Sequence, residues 1–191
     1  MLTRLRVSGF KNLNNVDVHF GPFTCIAGAN GVGKSNLFDA IRFLSETADK
    51  TLNEAALAVR DESKTASDIR GLFYRVGDTH VDEMSFEVEM LIPPSGIDDL
   101  NEEARATITF LRYALKLRYR PGARLDSLGS LEIVSEELNR INQTDARRNL
   151  PFQHKREWRE SVVKGERRNA PFISTEGAGE ERTIRQHQDG G

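Results

Sequence analysis

The chain has 191 residues and a formal net charge of −2, with 38% hydrophobic and 29% charged residues. This balance is typical of a globular protein, and no apolar run approaches the roughly 20 residues of a membrane-spanning helix, so we expect no membrane partner. A single cysteine, Cys25, excludes an internal disulfide and favours the cytoplasm, and the small net charge means that nucleic-acid affinity requires a local basic patch.

The first residues predict a β-hairpin followed by a buried strand. Residues 2–9 and 16–20 alternate between apolar and polar side chains, and residues 12–15 between them are turn-forming. Residues 23–27 follow Gly21-Pro22 and are almost wholly apolar. Such a run is typical of a strand that is buried on both faces.

A glycine-rich motif comes next and leads into an amphipathic helix. Leu37, Ile41 and Leu44 recur at helical spacing, so the order is strand, glycine-rich turn, helix. The glycine-rich segment could instead be an ordinary turn with a surface lysine. The order of strand, turn and helix favours a phosphate-binding loop. The residues that fit G-x-x-x-x-G-K-[ST] at every fixed position are Gly28, Ala29, Asn30, Gly31, Val32, Gly33, Lys34 and Ser35, followed by Asn36.

The residue types at the fixed positions of this motif follow from the chemistry of phosphate binding. Glycines let several backbone N–H groups converge on phosphate oxygens, and the N-terminus of the following helix favours the same anion. Lys34 is expected to reach the β- and γ-phosphates, and the Ser35 hydroxyl to ligate Mg²⁺. We therefore predict ATP and Mg²⁺ as ligands of residues 28–36, whereas the pattern assigns no catalytic residue.

The motif and its flanking residues resemble the opening of the ABC-type ATPases. The resemblance rests on residues 5–13, 27–37 and 40–42, of which Phe10-Lys11 and the Asn30 to Leu37 segment are the most specific. It covers about the first fifty residues, with weaker similarity to residue 92. The most similar branch contains the structural-maintenance-of-chromosomes proteins, RecF and the OLD-type ATPases. This resemblance implies an ATPase head, ATP-driven pairing of two heads, and DNA as the usual binding partner.

Hydrolysis in that family needs two motifs that the sequence lacks. One is an apolar strand ending in Asp-Glu (Walker B), and Asp82-Glu83 does not follow such a strand. The other is a Leu-Ser-Gly-Gly-Gln-like signature, for which residues 127–130 are a poor match. The resemblance thus implies a chain that binds ATP and hardly hydrolyses it alone. We expect a truncated head, completed by a head-to-head homodimer or a partner chain.

Further alternation predicts an antiparallel sheet beside the nucleotide-binding core. Residues 86–92 and 107–119 alternate, residues 131–133 suggest another strand before a helical-looking 136–138, and residues 52–59 suggest a helix. The predicted fold is α/β, a P-loop NTPase mixed sheet with an N-terminal β-hairpin and an antiparallel β subsheet. We divide the chain into an ATPase lobe, 1–140, and a basic, poorly ordered arm or linker, 141–191.

Residues 147–168 form a basic stretch with two interpretations. Its cations, interleaved with Phe152 and Trp158, could track a phosphate backbone and stack on bases. A solvated linker or a partner-docking segment is the alternative. The cations are Arg147, Arg148, Lys155, Arg156, Arg159, Lys164, Arg167 and Arg168.

Three functions therefore remain open at the level of sequence. The first is the head of an ATPase for DNA repair, recombination or phage defence. The second is a stand-alone nucleotide-binding regulatory or interaction module. The third is a P-loop kinase or transferase, which the Phe10-Lys11 opening disfavours.

Overall fold

A computed structural model describes residues 1–59, 69–97, 101–122, 129–165 and 170–187. Two short 3-10 helices, Ile69–Leu72 and Gly179–Glu181, accompany the longer elements. In chain order these are β1 (Leu2–Ser8), β2 (Val16–His19), α1 (Lys34–Glu46), α2 (Leu52–Ala58), β3 (Arg75–Val76), β4 (Thr79–His80), β5 (Glu83–Leu91), β6 (Ser95–Ile97), β7 (Glu103–Arg105), β8 (Phe110–Arg120), β9 (Ser130–Arg140), α3 (Gln143–Asn149), α4 (Arg156–Val162), β10 (Ile173–Glu176) and β11 (Thr183–Gln186).

The main sheet has seven strands in the order β11-β10-β9-β8-β5-β1-β2. Each pairing within it is antiparallel, and β1 and β2 form the hairpin at one edge, with Leu5 opposite Val18. The strongly alternating strands β5 and β8 lie in the middle. The structure thus confirms an α/β fold with an N-terminal β-hairpin and a large antiparallel sheet.

Helix α1 packs on one face of this sheet through a strip of apolar side chains. Leu37, Ala40 and Phe43 are buried at the three-residue spacing of a single helix face. Phe43 lies against Phe10 and Phe86, with ring centroids 6.0 and 5.3 Å away. These contacts fix the start of α1, and the loop before it, relative to the β1–β2 hairpin.

Helices α3 and α4 cover one end of the sheet around a second, smaller core. Ala146, Leu150 and Val163 are buried there with Phe110. Thr109 joins the two layers, because its hydroxyl donates to the Val162 carbonyl at 2.6 Å and accepts from the backbone N–H of Lys164 at 2.7 Å. Among the described residues, no helix has the length and apolar character needed to cross a membrane.

Three predictions about local structure differ from the observed fold. Residues 23–27 form no strand, and Phe23 is 88% exposed, because no neighbouring strand among the described residues pairs with this segment. Residues 136–138 belong to strand β9 rather than a helix, since they pair with residues 113–115 of β8. The predicted poorly ordered arm contains α3, α4, β10 and β11 in its described part. The domain boundary at residue 140 stays a prediction.

The sheet face opposite α1 carries carboxylates held between cations of neighbouring strands. Arg4 donates to both carboxylate oxygens of Asp17, at 2.9 and 2.6 Å, and this hydrogen bonding holds the pKa of Asp17 well below its usual range. Hydrogen bonds from Lys116 and then Arg118 lower the pKa of Glu83 in the same way. These ion pairs tie β2 to β1 and β8 to β5.

This arrangement predicts acid sensitivity of the fold. Both carboxylates titrate near pH 4 when unfolded and lower when folded, so their stabilisation is complete above about pH 5 and is lost as pH falls below about 4. We expect the free energy of unfolding, from urea titrations followed by circular dichroism, to decline over that acidic range. Arg4→Met should make the decline shallower, whereas Arg75→Met, an exposed arginine of β3, should leave it unchanged.

Candidate functional site

The predicted phosphate-binding loop lies between the exposed 23–27 segment and the first turn of α1. Gly31 and Gly33 have φ values of 84° and 104°, a conformation that residues with a Cβ rarely adopt. Gly33 is also the N-cap of α1, and no side chain among the described residues hydrogen bonds to the backbone N–H groups there. These N–H groups are therefore free to donate to an anion.

The Lys34 ammonium group points back into the loop. It donates to the carbonyl oxygens of Gly28 and Ala29, at 2.7 and 2.6 Å. Because an ammonium group has three protons, one remains for a phosphate oxygen at this position. The lysine thereby holds the loop curled and brings a positive charge to its centre.

The loop opens onto a cavity of about 220 Å³. This volume is below the range of pockets that enclose a whole drug-sized ligand, so it suits the phosphates rather than a complete nucleotide. The cavity is lined by Asn12, Asn30, Gly31, Gly33, Lys34, Ser35 and Asn36.

Most of the predicted site residues are thus brought together. Gly28 and Ala29 act through the carbonyls that accept from Lys34. Val32 does not line the cavity, and its side chain is 61% exposed. Val32 therefore contributes to the loop through its backbone and not through its side chain.

Asn12, in the turn of the β1–β2 hairpin, is a site residue that the motif does not reveal. Its amide donates to the Gly31 carbonyl at 3.3 Å, and its side-chain oxygen accepts from Asn36 at 2.8 Å. A Cβ on Gly33 would lie 2.8 Å from that oxygen. Asn12 thus braces the loop from the side. In the sequence Asn12 belongs to a turn and to the segment that carries the family resemblance, but neither signal shows its contact with the loop, because that contact joins two separate segments.

Lys11, next to it, stabilises the hairpin turn against the helices. Its ammonium group pairs with Asp39 of α1 at 2.6 Å and donates to the Val59 carbonyl at 2.6 Å, and its side chain is only 14% exposed. Lys11 itself has a positive φ of 49°, which the surrounding contacts hold in place. The Phe10-Lys11 pair thus positions the turn that carries Asn12.

The residues that line the cavity supply the donors that a polyphosphate needs, but only one of the oxygen ligands that Mg²⁺ needs. Of the groups that line the cavity, Ser35 supplies a hydroxyl oxygen, and none is a carboxylate. Mg²⁺ takes about six oxygen ligands and usually keeps several waters and substrate phosphates among them. One hydroxyl together with phosphate oxygens and waters can complete the ligands of Mg²⁺. A carboxylate from another segment would be a further ligand.

Comparison with known proteins agrees with this geometry. Residues 1–70, which contain the hairpin, the loop and α1, match the family model described as "RecF/RecN/SMC N terminal domain". The N-terminal segment of this chain is similar to that family. The matched residues include both the loop and the hairpin that contacts it.

Curated relatives match the same N-terminal segment. The DNA replication and repair protein RecF of Phocaeicola vulgatus is 41% identical over 46 residues, and that of Bacteroides fragilis is 44% identical over 46 residues. Each match covers 24% of this chain and 12% of the relative. The chromosome partition protein Smc of Halothermothrix orenii is 43% identical over 60 residues, 30% of this chain and 5% of that protein. The matched segment is thus a small part of each relative's length.

A solved structure is also similar in outline. It is described as "Structural biochemistry of ATP-driven dimerization and DNA stimulated activation of SMC ATPases". The two chains superpose with a TM-score of 0.45 and 24% identity, over 75% of this chain and 74% of the other.

Proposed function

We propose that this chain is the ATP-binding N-terminal lobe of an ABC-type ATPase that acts on DNA in the cytoplasm, in repair, recombination or phage defence. The head pairs with a second head, and a separate segment, different in sequence from this chain, supplies the Walker B and signature motifs that hydrolysis requires. The observation that carries the proposal is the loop itself, with an inward-pointing Lys34, two positive-φ glycines and uncapped N–H groups around one cavity.

The chain's own residues bind and orient the phosphates. Lys34 neutralises their charge, and the N–H groups at the start of α1 donate to their oxygens. Asn12 holds the loop in the shape that makes these donors converge. Ser35 would hold Mg²⁺, which when bound supplies further positive charge to the β- and γ-phosphates.

The surface beside the loop supports the need for a second segment. Residues 23–27 run directly into the loop and pair with no strand of the described residues, and Phe23 is 88% exposed. Phe38, on the side of α1 turned away from the sheet core, is 57% exposed. Apolar groups concentrated beside a binding loop are typical of a surface that another protein segment covers.

ATP titration of the chain with Mg²⁺, followed by calorimetry, tests the proposal directly. We expect saturable binding of ATP, and turnover no higher than that of a variant with an inactivated loop. Light scattering with a slowly hydrolysed analogue then tests whether nucleotide promotes dimerisation. Absence of ATP binding would refute the proposal. Binding without dimerisation or added turnover from any partner would instead favour the stand-alone nucleotide-binding module.

A further inference from the structure

Two groups of cations in the described structure differ in their partners. On the sheet face opposite α1, arginines and lysines are matched with carboxylates across neighbouring strands, as in Arg4 with Asp17 and Arg6 with Glu87. Matched charges of this kind largely cancel at a distance, so that face presents little net field to an anionic polymer.

The α3–α4 unit differs, because several of its cations are exposed and unmatched. Arg147, Arg148 and Lys155 are exposed and form no ion pair with any residue that the structure describes. Arg156 beside them is matched, with Glu160 at 2.6 Å. Arg167 and Arg168, the last cations of the basic stretch, lie outside the described residues.

The geometry of α3 directs its two arginines away from the protein. Ala146 and Leu150 face the second core, and the Asn149 amide donates to the buried carboxylate of Glu89 at 3.0 Å. With these three positions fixed inward, Arg147 and Arg148 occupy the outward side of the helix. Lys155 follows as the N-cap of α4, which packs on the same core.

We infer that the outward side of α3 and the start of α4 form a binding surface for the phosphate backbone of double-stranded DNA. The inference deepens the proposed function, on which it rests for the choice of DNA over other polyanions. Unmatched arginines and lysines bind duplex phosphates by releasing condensed counterions, and they need no base contact to do so.

The aromatic residues of the stretch argue for contact with the backbone alone. Phe152 and Trp158 lie against each other, with ring centroids 5.5 Å apart, and both pack on the second core. Both rings are partly buried by this packing, so the inferred surface relies on its cations and not on stacking with unpaired bases. For the same reason the rings offer no apolar anchor for a membrane surface. Binding is therefore independent of DNA sequence.

The test is DNA affinity of the full chain, from fluorescence anisotropy of a labelled duplex at several KCl concentrations. The variant Arg147→Ala, Arg148→Ala, Lys155→Ala is compared with the control Arg75→Ala, Arg105→Ala, Arg185→Ala. The control loses the same three charges from exposed arginines that are matched with Asp78, Glu103 and Glu176. Both variants therefore have the same net charge.

We expect the α3–α4 variant to bind the duplex at least about tenfold more weakly than the wild-type chain at 100 mM KCl, with a salt-dependence slope reduced by about 2–3. The control should stay within about twofold. Equal losses in both variants, or no duplex binding by the wild-type chain, would overturn the inference. Calorimetric ATP titration of the same variants separates this outcome from failure of the loop, because both should bind ATP as the wild-type chain does.

Discussion

Lys34→Ala is expected to weaken ATP binding by at least about 100-fold, or about 2.7 kcal/mol. The substitution removes the positive charge at the centre of the loop. It also leaves the Gly28 and Ala29 carbonyls without the donor that curls the backbone around the cavity. Both losses lower the affinity for ATP more than the stability of the fold, because the lysine contributes little to the core.

Calorimetry with ATP and Mg²⁺ measures this effect, and thermal unfolding without nucleotide checks that the variant is folded. Lys50→Ala is a suitable control, since Lys50 is a lysine just beyond α1 whose partner is Glu46. It should bind ATP as the wild-type chain does. Undiminished affinity in Lys34→Ala would mean that phosphates do not bind at this loop, and the proposed function would lose its basis.

The sequence predicts well those features that depend on neighbours along the chain. Alternation in residues 86–92 and 107–119 identifies β5 and β8, because one face of each strand lies on the core under α1. The loop motif is equally local, since its glycines serve backbone conformations within eight consecutive residues. These features carry most of the fold and of the candidate site.

Features that depend on distant partners are harder to predict. Residues 23–27 have the composition of a buried strand, yet whether they are buried depends on a neighbour that the described residues do not supply. Residues 136–138 look helical locally, but Tyr113 of β8 donates to Glu136 at 2.9 Å across a strand pairing. Asn12 is one turn residue among several until the fold brings the hairpin to the loop.

Gly33→Ala is expected to weaken ATP binding by about 10- to 100-fold while the antiparallel sheet stays folded. At its φ of 104° an alanine costs about 1–2 kcal/mol. Its Cβ would also lie 2.8 Å from the Asn12 side-chain oxygen, so that Asn12 must swing away and release both Gly31 and Asn36. The loop then loses its brace and part of its convergent shape.

Two further variants separate the backbone cost from the loss of the brace. Gly31→Ala carries a similar φ of 84° but would meet no atom within 4 Å, so it should show the backbone cost alone and the smaller loss of affinity. In an Asn12→Ala background the brace is already absent, so Gly33→Ala should add less than it does to the wild-type chain. If the two glycine variants lose affinity equally, and the losses from Gly33→Ala and Asn12→Ala simply add, then Asn12 does not brace the loop. The hairpin would then affect nucleotide binding only through the core that it shares with α1.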